Sequence, residues 1–273
     1  MARRRRDPIH LVRRGAGPPL VLLHGIGGEA CVWDPVIDAL AAHHDVLALD
    51  LPGFGRSAPL PDGIAPTPEA LAAAVARRLQ AEGLHDAHVA GNSLGGWIAL
   101  ELAKAGHARS VTGLCPAGLW GRPLTGPDAA PVRGRAHRVA RRLRPLIPVA
   151  LLSRRLRRLV LSPFVAHPDR VPYRDAWRMV RSYARATAYD ATNTAMRRSH
   201  LQDVSKIAVP VTLAFGDHDR LIRPARLPLA GARSIVLPGC GHIPMWDAPG
   251  LVVEVIASTV RSGEAALDPA ASA

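Results

Sequence analysis

Short apolar runs alternate with segments of helical periodicity along most of the chain. An edge strand is predicted over 9–13, and central strands are predicted over 20–23, 46–49, 87–90, 111–115, 211–215 and 234–237. Helical patterns separate them at 33–42, 68–82, 94–105 and 251–260. The central runs are apolar at nearly every position, so both faces of each strand should be buried. This order predicts an α/β fold, a mostly parallel sheet with helices on both faces.

The alternation stops between residues 119 and 205, where the sequence becomes rich in arginine and proline. Helical segments are predicted around 133–143, 150–161, 174–187 and 191–200, with no strand among them. We therefore expect a core built from 1–118 and 206–273, and a helical cap inserted at 119–205 over one end of the sheet. The small and polar residues 263–273 are expected to form a frayed tail.

A possible nucleophile stands where a predicted strand meets a predicted helix. The sequence Gly91-Asn92-Ser93-Leu94-Gly95 has the pattern G-x-S-x-G in that context. A serine in so tight a turn must adopt a strained backbone conformation, which requires small flanking residues. The turn would raise the hydroxyl above the sheet edge, beside the positive end of the following helix. Ser93 is therefore the candidate nucleophile, and the alternative is a plain glycine-rich turn.

A serine hydroxyl needs a base, and the base needs a carboxylate that fixes its tautomer. His242 follows the last predicted strand, which places it at the same sheet edge as the serine. Asp219 follows the preceding strand and is the first choice for the carboxylate, with Asp217 as the alternative. Asp247 is too close in sequence to the histidine and is expected to bond locally.

Two backbone N–H groups are candidates for binding the oxyanion that forms during acyl transfer. The first belongs to Leu94, directly after the candidate nucleophile. The second should come from the glycine-rich loop after strand 20–23, with Ile26 preferred and Gly27 as the alternative. His24 in this loop is expected to support the loop rather than act as a second base.

Five sequence blocks in this order, HGIGG, DLPGFGRS, GNSLGG, GDHD and GCGHIP, resemble the α/β-hydrolase superfamily. Within it the chain is most similar to cap-bearing esterases, enol-lactonases and meta-cleavage C–C hydrolases. The resemblance covers roughly 8–118 and 206–262. It implies an α/β-hydrolase fold and acyl transfer to Ser93 followed by hydrolysis. Epoxide hydrolases and haloalkane dehalogenases of this superfamily need a carboxylate nucleophile, so the serine argues against both.

Three functions remain open. The first is hydrolysis of a carboxylic ester or lactone of a small to medium apolar substrate through an acyl-enzyme. The second is C–C bond hydrolysis of the meta-cleavage type, for which cap arginines such as Arg138 and Arg185 could hold a substrate carboxylate. The third is a ligand-binding or accessory protein with low turnover. Trp33, Trp97 and Trp120 either line the substrate pocket or are ordinary core aromatics.

Composition and charge argue against several other classes of protein. The net charge is +13, but 33 of the 35 basic residues are arginines and abundant alanine accompanies them, which is typical of a GC-rich genome and not of a nucleic-acid surface. No apolar run is long enough for a membrane span. The three cysteines, Cys31, Cys115 and Cys240, are widely spaced, which argues against disulfides and zinc and favours the cytoplasm.

The expected partner is a small acyl substrate, and the sequence leaves a homodimer open. No cofactor or metal is expected. The histidine pairs 43/44 and 85/88 are too isolated for a metal site and should lie on the surface.

Overall fold

The computed structural model describes residues 9–124, 135–222 and 229–267. Seven strands, β1 to β7, span Leu11–Arg14, Pro19–Leu23, Asp45–Leu49, Ala87–Asn92, Ala108–Leu114, Val211–Gly216 and Arg233–Leu237. They form one sheet in the order β1-β3-β2-β4-β5-β6-β7, in which β1 is antiparallel to β3 and every other neighbouring pair is parallel. The seven predicted strands are confirmed. Strand β5 begins three residues earlier than expected.

Helices cover both faces of the sheet. They are α1 (Asp34–Ala41), α2 (Pro68–Ala81), α3 (Leu94–Lys104), α9 (Pro244–Asp247) and α10 (Pro249–Leu267). The Thr67 side chain accepts a hydrogen bond from Ala70 N and so caps α2, with proline at its first position. The expected frayed tail is wrong for 263–267, which continue α10. Residues 268–273 lie outside the described part of the chain.

Alternate side chains of the central strands enter two separate apolar clusters. In β2, Val21 and Leu23 join a cluster with residues of α2 and α3, while Leu20 and Leu22 join another with residues of α1 and α10. Successive strand residues point to opposite faces, so a strand covered on both sides is apolar throughout. This is why the sequence shows continuous apolar runs there.

The described residues between β5 and β6 form five α-helices. They are α4 (Arg135–Arg142), α5 (Ile147–Leu152), α6 (Arg154–Leu161), α7 (Tyr173–Arg185) and α8 (Tyr189–Arg197). The described residues of this stretch contain no strand, as the sequence predicts, and residues 133 and 134 of the first predicted helix lie outside them. Residues of α5, α6 and α7 form a third apolar cluster, separate from the two that flank the sheet.

Two tryptophans and two histidines are buried in the fold. Trp33 and Trp97 have no exposed surface, which makes them core aromatics. His44 and His88 are also buried and bond to Leu40 O and Ser110 Oγ respectively. The expectation that both histidine pairs lie on the surface is wrong for these two members.

The carboxyl ends of the parallel strands meet at one edge of the sheet. Leu23 pairs with Gly91, Asn92 pairs with Leu114, and Gly216 pairs with Leu237. The loops that follow β2, β4, β5, β6 and β7 therefore emerge side by side. Ligands of open parallel sheets bind at this edge, so the fold gathers the candidate site residues there.

Candidate active site

Ser93 stands in a strained turn between β4 and α3. Its backbone angles are φ 56° and ψ −116°, a region that costs a non-glycine residue about 1–3 kcal/mol. The turn closes only because of the flanking glycines. A Cβ on Gly91 would lie 2.1 Å from Gly95 O, and one on Gly95 would lie 2.1 Å from Leu23 O. The G-x-S-x-G pattern is thus required by the packing of this turn.

Asp219 and His242 form a buried hydrogen-bonded pair at the same edge. The His242 Nδ1 atom lies 2.8 Å from Asp219 Oδ2, and the aspartate side chain is only 1% exposed. The other carboxylate oxygen accepts hydrogen bonds from Leu221 N and Ile222 N at 2.7 and 3.0 Å. Because an ionised carboxylate can only accept, Nδ1 carries the proton and Nε2 is left as an acceptor.

Opposing influences act on the pKa of Asp219. Burial acts to raise it, because a charged group is less stable away from water. The charge and hydrogen bond of His242, together with the two backbone N–H groups, outweigh burial and hold the pKa below its ordinary value. The carboxylate is therefore ionised beside the imidazole at neutral pH.

The alternative carboxylate, Asp217, does not reach the imidazole. Its side chain is exposed and accepts a hydrogen bond from Cys240 N at 3.2 Å, which closes the loop that carries His242. Backbone N–H groups, that of Gly239 foremost, lower the pKa of Asp217. The structure thus brings Asp219, and not Asp217, to the histidine.

Asp247 forms hydrogen bonds with residues that are distant in sequence as well as with its neighbours. It does bond locally, since Oδ2 accepts from Gly241 N at 2.8 Å. The same carboxylate also accepts from Ala166 N at 2.9 Å and His167 N at 2.8 Å, in the helical segment between β5 and β6. The expectation of purely local bonding is therefore incomplete. One buried carboxylate fastens the histidine loop to the helical segment.

Asn92, which sequence analysis did not single out, connects the serine turn to the histidine loop. Its Nδ2 donates to Leu114 O at 3.1 Å and to His242 O at 2.8 Å. Ser93 and His242 are 5% and 6% exposed. No hydrogen bond joins Ser93 Oγ to His242 Nε2 within the described residues. Such bonds are often long in unliganded structures and tighten when substrate binds.

The loop after β2 passes directly beside the serine. A Cβ on Gly25 would lie 3.1 Å from Ser93 Cβ, so a larger residue would push the loop and the serine apart by a few tenths of an ångström. Within the described part of the chain, the N–H groups of Ile26, Gly27 and Leu94 have no hydrogen-bond partner. The candidate oxyanion donors are thus free to bind a ligand oxygen, with Ile26 and Gly27 both still eligible.

His24 is occupied on both ring nitrogens. Leu51 N donates to its Nε2 at 2.9 Å, so Nδ1 carries the proton and donates to Gly25 O at 2.7 Å. Burial lowers the pKa of His24 and keeps the ring neutral. These contacts fit the expected supporting role and leave no nitrogen for proton transfer.

Cys115 is a further neighbour of the site that sequence reasoning did not identify. It follows β5 with φ 47°, and its Sγ lies within 4.8 Å of the polar atoms of Asp219 and His242. Burial raises the pKa of this thiol well above its ordinary value, so it stays protonated. The aspartate and histidine already bind each other, so we assign no metal to this trio.

The helical segment covers the loop after β2. Ser182 Oγ donates to Gly27 O at 3.3 Å, and a Cβ on Gly27 would meet the ring of Tyr183 at 2.6 Å. Tyr189 packs edge to face against Tyr183 and stacks on the buried ring of His137. An aromatic cluster therefore closes the space above the candidate oxyanion loop.

Known proteins resemble this chain over most of its length. The family model described as "Alpha/beta hydrolase family" matches residues 20–255. Epoxide hydrolase EphH of Mycobacterium tuberculosis is 37% identical over 207 residues, 70% of this chain and 94% of that protein. A pimeloyl-[acyl-carrier protein] methyl ester esterase of Aeromonas hydrophila is 28% identical over 258 residues, 91% of this chain and 97% of that protein. The enol-lactonase of Burkholderia xenovorans LB400 superposes with a TM-score of 0.73 at 23% identity, covering 93% of this chain and 96% of that chain.

Proposed function

This chain belongs to the alpha/beta hydrolase family and has its fold, and from that premise we propose that it is a serine hydrolase that cleaves a carboxylic ester or lactone. Hydrolase activity is common to the named relatives. The observation that carries the proposal is the 2.8 Å pair of Asp219 and His242 at the sheet edge where Ser93 is held in a strained turn. Such a turn persists only where the surrounding structure enforces it.

In the proposed first step, Ser93 Oγ attacks the carbonyl carbon of the substrate while His242 Nε2 takes the hydroxyl proton. The electron pair of the C=O bond moves to oxygen, and the N–H groups of Leu94 and Ile26, or Gly27, can donate hydrogen bonds to the resulting oxyanion. The adduct collapses, and the alcohol leaves with the proton from the imidazolium. Water, activated by the same base, then releases the acid from the serine.

Asp219 has two tasks in this reaction. It holds the tautomer in which Nε2 can accept a proton, and its charge stabilises the imidazolium. Its lowered pKa supports both tasks, because the carboxylate then remains ionised. No step of the proposed reaction requires a metal or an organic cofactor.

We propose further that residues 119–205 form a cap that bounds the substrate pocket. Support comes from Asp247, which joins the histidine loop to this segment, and from Tyr183 against the loop after β2. The apolar and aromatic character of that contact favours a small to medium apolar acyl substrate.

We also propose a cytoplasmic location, because the three cysteines are all free and buried. No helix in the described part of the chain has the length and apolarity to span a membrane.

Epoxide hydrolysis is a second candidate, favoured by the identity to EphH. Attack of a serine hydroxyl on an epoxide would give an ether, which water cannot cleave as it cleaves the ester formed by a carboxylate. The serine at position 93 therefore still argues for acyl transfer. Hydrolysis of epoxides by the purified protein, with loss on Ser93→Ala, would reverse this preference.

Hydrolysis of C–C bonds remains an alternative, and the structure gives it no added support. The arginines proposed to hold a substrate carboxylate, Arg138 and Arg185, are both exposed. An accessory protein with low turnover is distinguished by assay, since it would bind an acyl ligand tightly and hydrolyse none.

The decisive experiment is labelling with a fluorophosphonate probe followed by a panel of nitrophenyl esters of increasing chain length. We expect one adduct, on the peptide containing Ser93, and loss of both labelling and hydrolysis in Ser93→Ala. Ser234→Ala, at an exposed position of β7, is the matched control and should label and turn over like the wild type. An unlabelled wild type would contradict the proposal.

A further inference from the structure

The outer surface of α4, α5 and α6 exposes large apolar side chains to solvent. Of those that are exposed among the described residues, eight lie between positions 139 and 160: Val139, Leu143, Leu146, Val149, Leu152, Leu156, Leu159 and Val160. We refer to these eight residues and the arginines among them as the outer layer. So many exposed large apolar side chains within one short segment are uncommon on a free protein and indicate an interaction site.

The exposed residues follow helical spacing on each helix. Leu156, Leu159 and Val160 stand at i, i+3 and i+4 on α6, with exposed fractions of 44%, 69% and 37%. Val139 lies in α4, and Leu143, four positions later, directly follows the end of that helix. Residues three and four apart share one face of a helix, so each helix presents an apolar stripe outward.

The opposite face of the same segment is already packed. Ile147, Leu151 and Leu161 are buried in the third apolar cluster with residues of α7. The segment is therefore apolar on two faces, and the described residues of the chain cover only the inner one.

The outer layer is also strongly basic. Residues 135–161 contain nine arginines and no aspartate or glutamate. Six of them (Arg138, Arg141, Arg142, Arg144, Arg154 and Arg155) have exposed side chains and no carboxylate partner within the described residues. Elsewhere several arginines are paired, as Arg13 with Asp45 and Arg109 with Asp86. A GC-rich genome explains abundant arginine but not its separation from acidic residues.

We propose that the outer layer docks on the surface of an anionic membrane. Leucine and valine stripes flanked by arginines are the pattern of helices that lie in the membrane interface, with apolar groups among the acyl chains and arginines at the lipid headgroups. Because the exposed arginines of the outer layer are positively charged, we expect it to bind lipids with negatively charged headgroups.

A basic cleft adjoins the outer layer at the end of α6. It has a volume of about 420 Å³, and its lining includes Arg158, Arg170, Arg220 and His167, with Asp169 as the acidic member. Arg158 belongs to both the cleft and α6, and bonds Asp169 at 2.8 Å. A lipid phosphate lying at the edge of the docked surface would find several cationic donors there.

The test is sedimentation of the full chain with phosphatidylcholine vesicles, with and without phosphatidylglycerol. We expect binding to the acidic vesicles and a loss of binding as salt rises, because salt screens the arginines. Leu156→Gln with Leu159→Gln should weaken binding by about tenfold or more. Arg154→Gln with Arg155→Gln should weaken it by about fivefold for each arginine removed. The matched controls, Val236→Gln and Arg77→Gln, change an exposed valine of β7 and an exposed arginine of α2, and should bind like the wild type.

Thermal unfolding of each variant establishes that it folds, and the arginine pair keeps the test valid should the leucine pair not fold. The proposal is overturned if the wild type does not sediment with acidic vesicles. That result stands even if the same surface binds an acidic protein, because the occupant would then not be a membrane. Equal binding to neutral vesicles overturns it too. So does a stable dimer that the leucine variant dissociates, because a second copy of the chain would then occupy the surface. Because sedimentation does not measure hydrolysis, the outcome is independent of the proposed activity.

Discussion

Replacing Asp219 by asparagine tests the proposed chemistry with little change in shape. The asparagine carbonyl can still accept from Leu221 N and Ile222 N, which bond the aspartate at 2.7 and 3.0 Å. Its amide nitrogen, however, presents a donor to His242 Nδ1. The imidazole must then accept at Nδ1 and carry its proton on Nε2, so it cannot take the proton of Ser93.

The expected cost follows from this change of tautomer. We expect kcat to fall by about 10⁴-fold, the loss seen when the acid of a serine–histidine–aspartate site becomes an amide, or about 5.5 kcal/mol of transition-state stabilisation. The effect on KM should be small because the aspartate does not face the substrate. The measurement is steady-state hydrolysis of the best nitrophenyl ester, with Asp217→Asn as the matched control. Asp217 is exposed and bonds Cys240 N, so its variant should retain activity within about threefold.

Two results would refute this reasoning. One is near-full activity in Asp219→Asn, and the other is a comparable loss in Asp217→Asn. A pH series adds an independent check, since the pKa of Asp219 is lowered in the folded protein. Its contribution to stability is complete above the unfolded value of about 3.9 and is lost as pH falls through the lower folded value. The difference in unfolding free energy between wild type and Asp219→Asn should therefore shrink between about pH 5 and pH 3, and a widening difference would count against the assignment.

Three further variants or measurements test the packing around the site. Gly95→Ala should destabilise the protein by about 1–3 kcal/mol or prevent folding, because its Cβ would lie 2.1 Å from Leu23 O; a denaturant titration decides this. Asp247→Ala should cost about 3 kcal/mol and speed amide exchange at Ala166 and His167, which lose their acceptor; unchanged exchange would show that the bonds are dispensable. The buried thiols Cys31, Cys115 and Cys240 have raised pKa values, so none should react with Ellman's reagent until guanidinium unfolds the chain, and rapid native reaction of any of them would contradict their burial.

The order of strands and helices could be predicted because it depends on local patterns. Continuous apolar runs such as 20–23 arise only where both faces of a strand are covered, and the structure confirms this for Leu20 to Leu23. The serine turn was predictable for a similar reason, since the two glycines around Ser93 are a steric requirement of the turn itself. The end of α10 was misjudged, because 263–267 have the composition of a small polar tail, whereas Glu264, Ala265 and Ala266 are good helix formers that extend the helix although they are exposed. Gly263 is buried, and a Cβ there would lie 2.9 Å from Ser110 Cβ.

Sequence position indicated which aspartates could pair with His242, but it could not decide between Asp219 and Asp217. Asp219 and Asp217 both follow β6, and spacing alone could not decide which side chain turns inward. The folded loop decides it, because Leu221 N and Ile222 N hold one carboxylate against the imidazole while the other closes the turn at Cys240 N. Asp247 was underestimated because two of its partners, Ala166 N and His167 N, are about eighty residues away along the chain.

By itself, then, the sequence determined the elements that alternate along the chain and the chemical types at the sheet edge, since both depend on neighbours within a few residues. Only the tertiary structure decided which groups meet: Asn92 with the histidine loop, His24 with Leu51, and Cys115 beside the paired acid and base. It likewise revealed that the arginines and leucines of α6 share an uncovered surface. Contacts between distant segments depend on how the layers pack, and no local pattern encodes that packing.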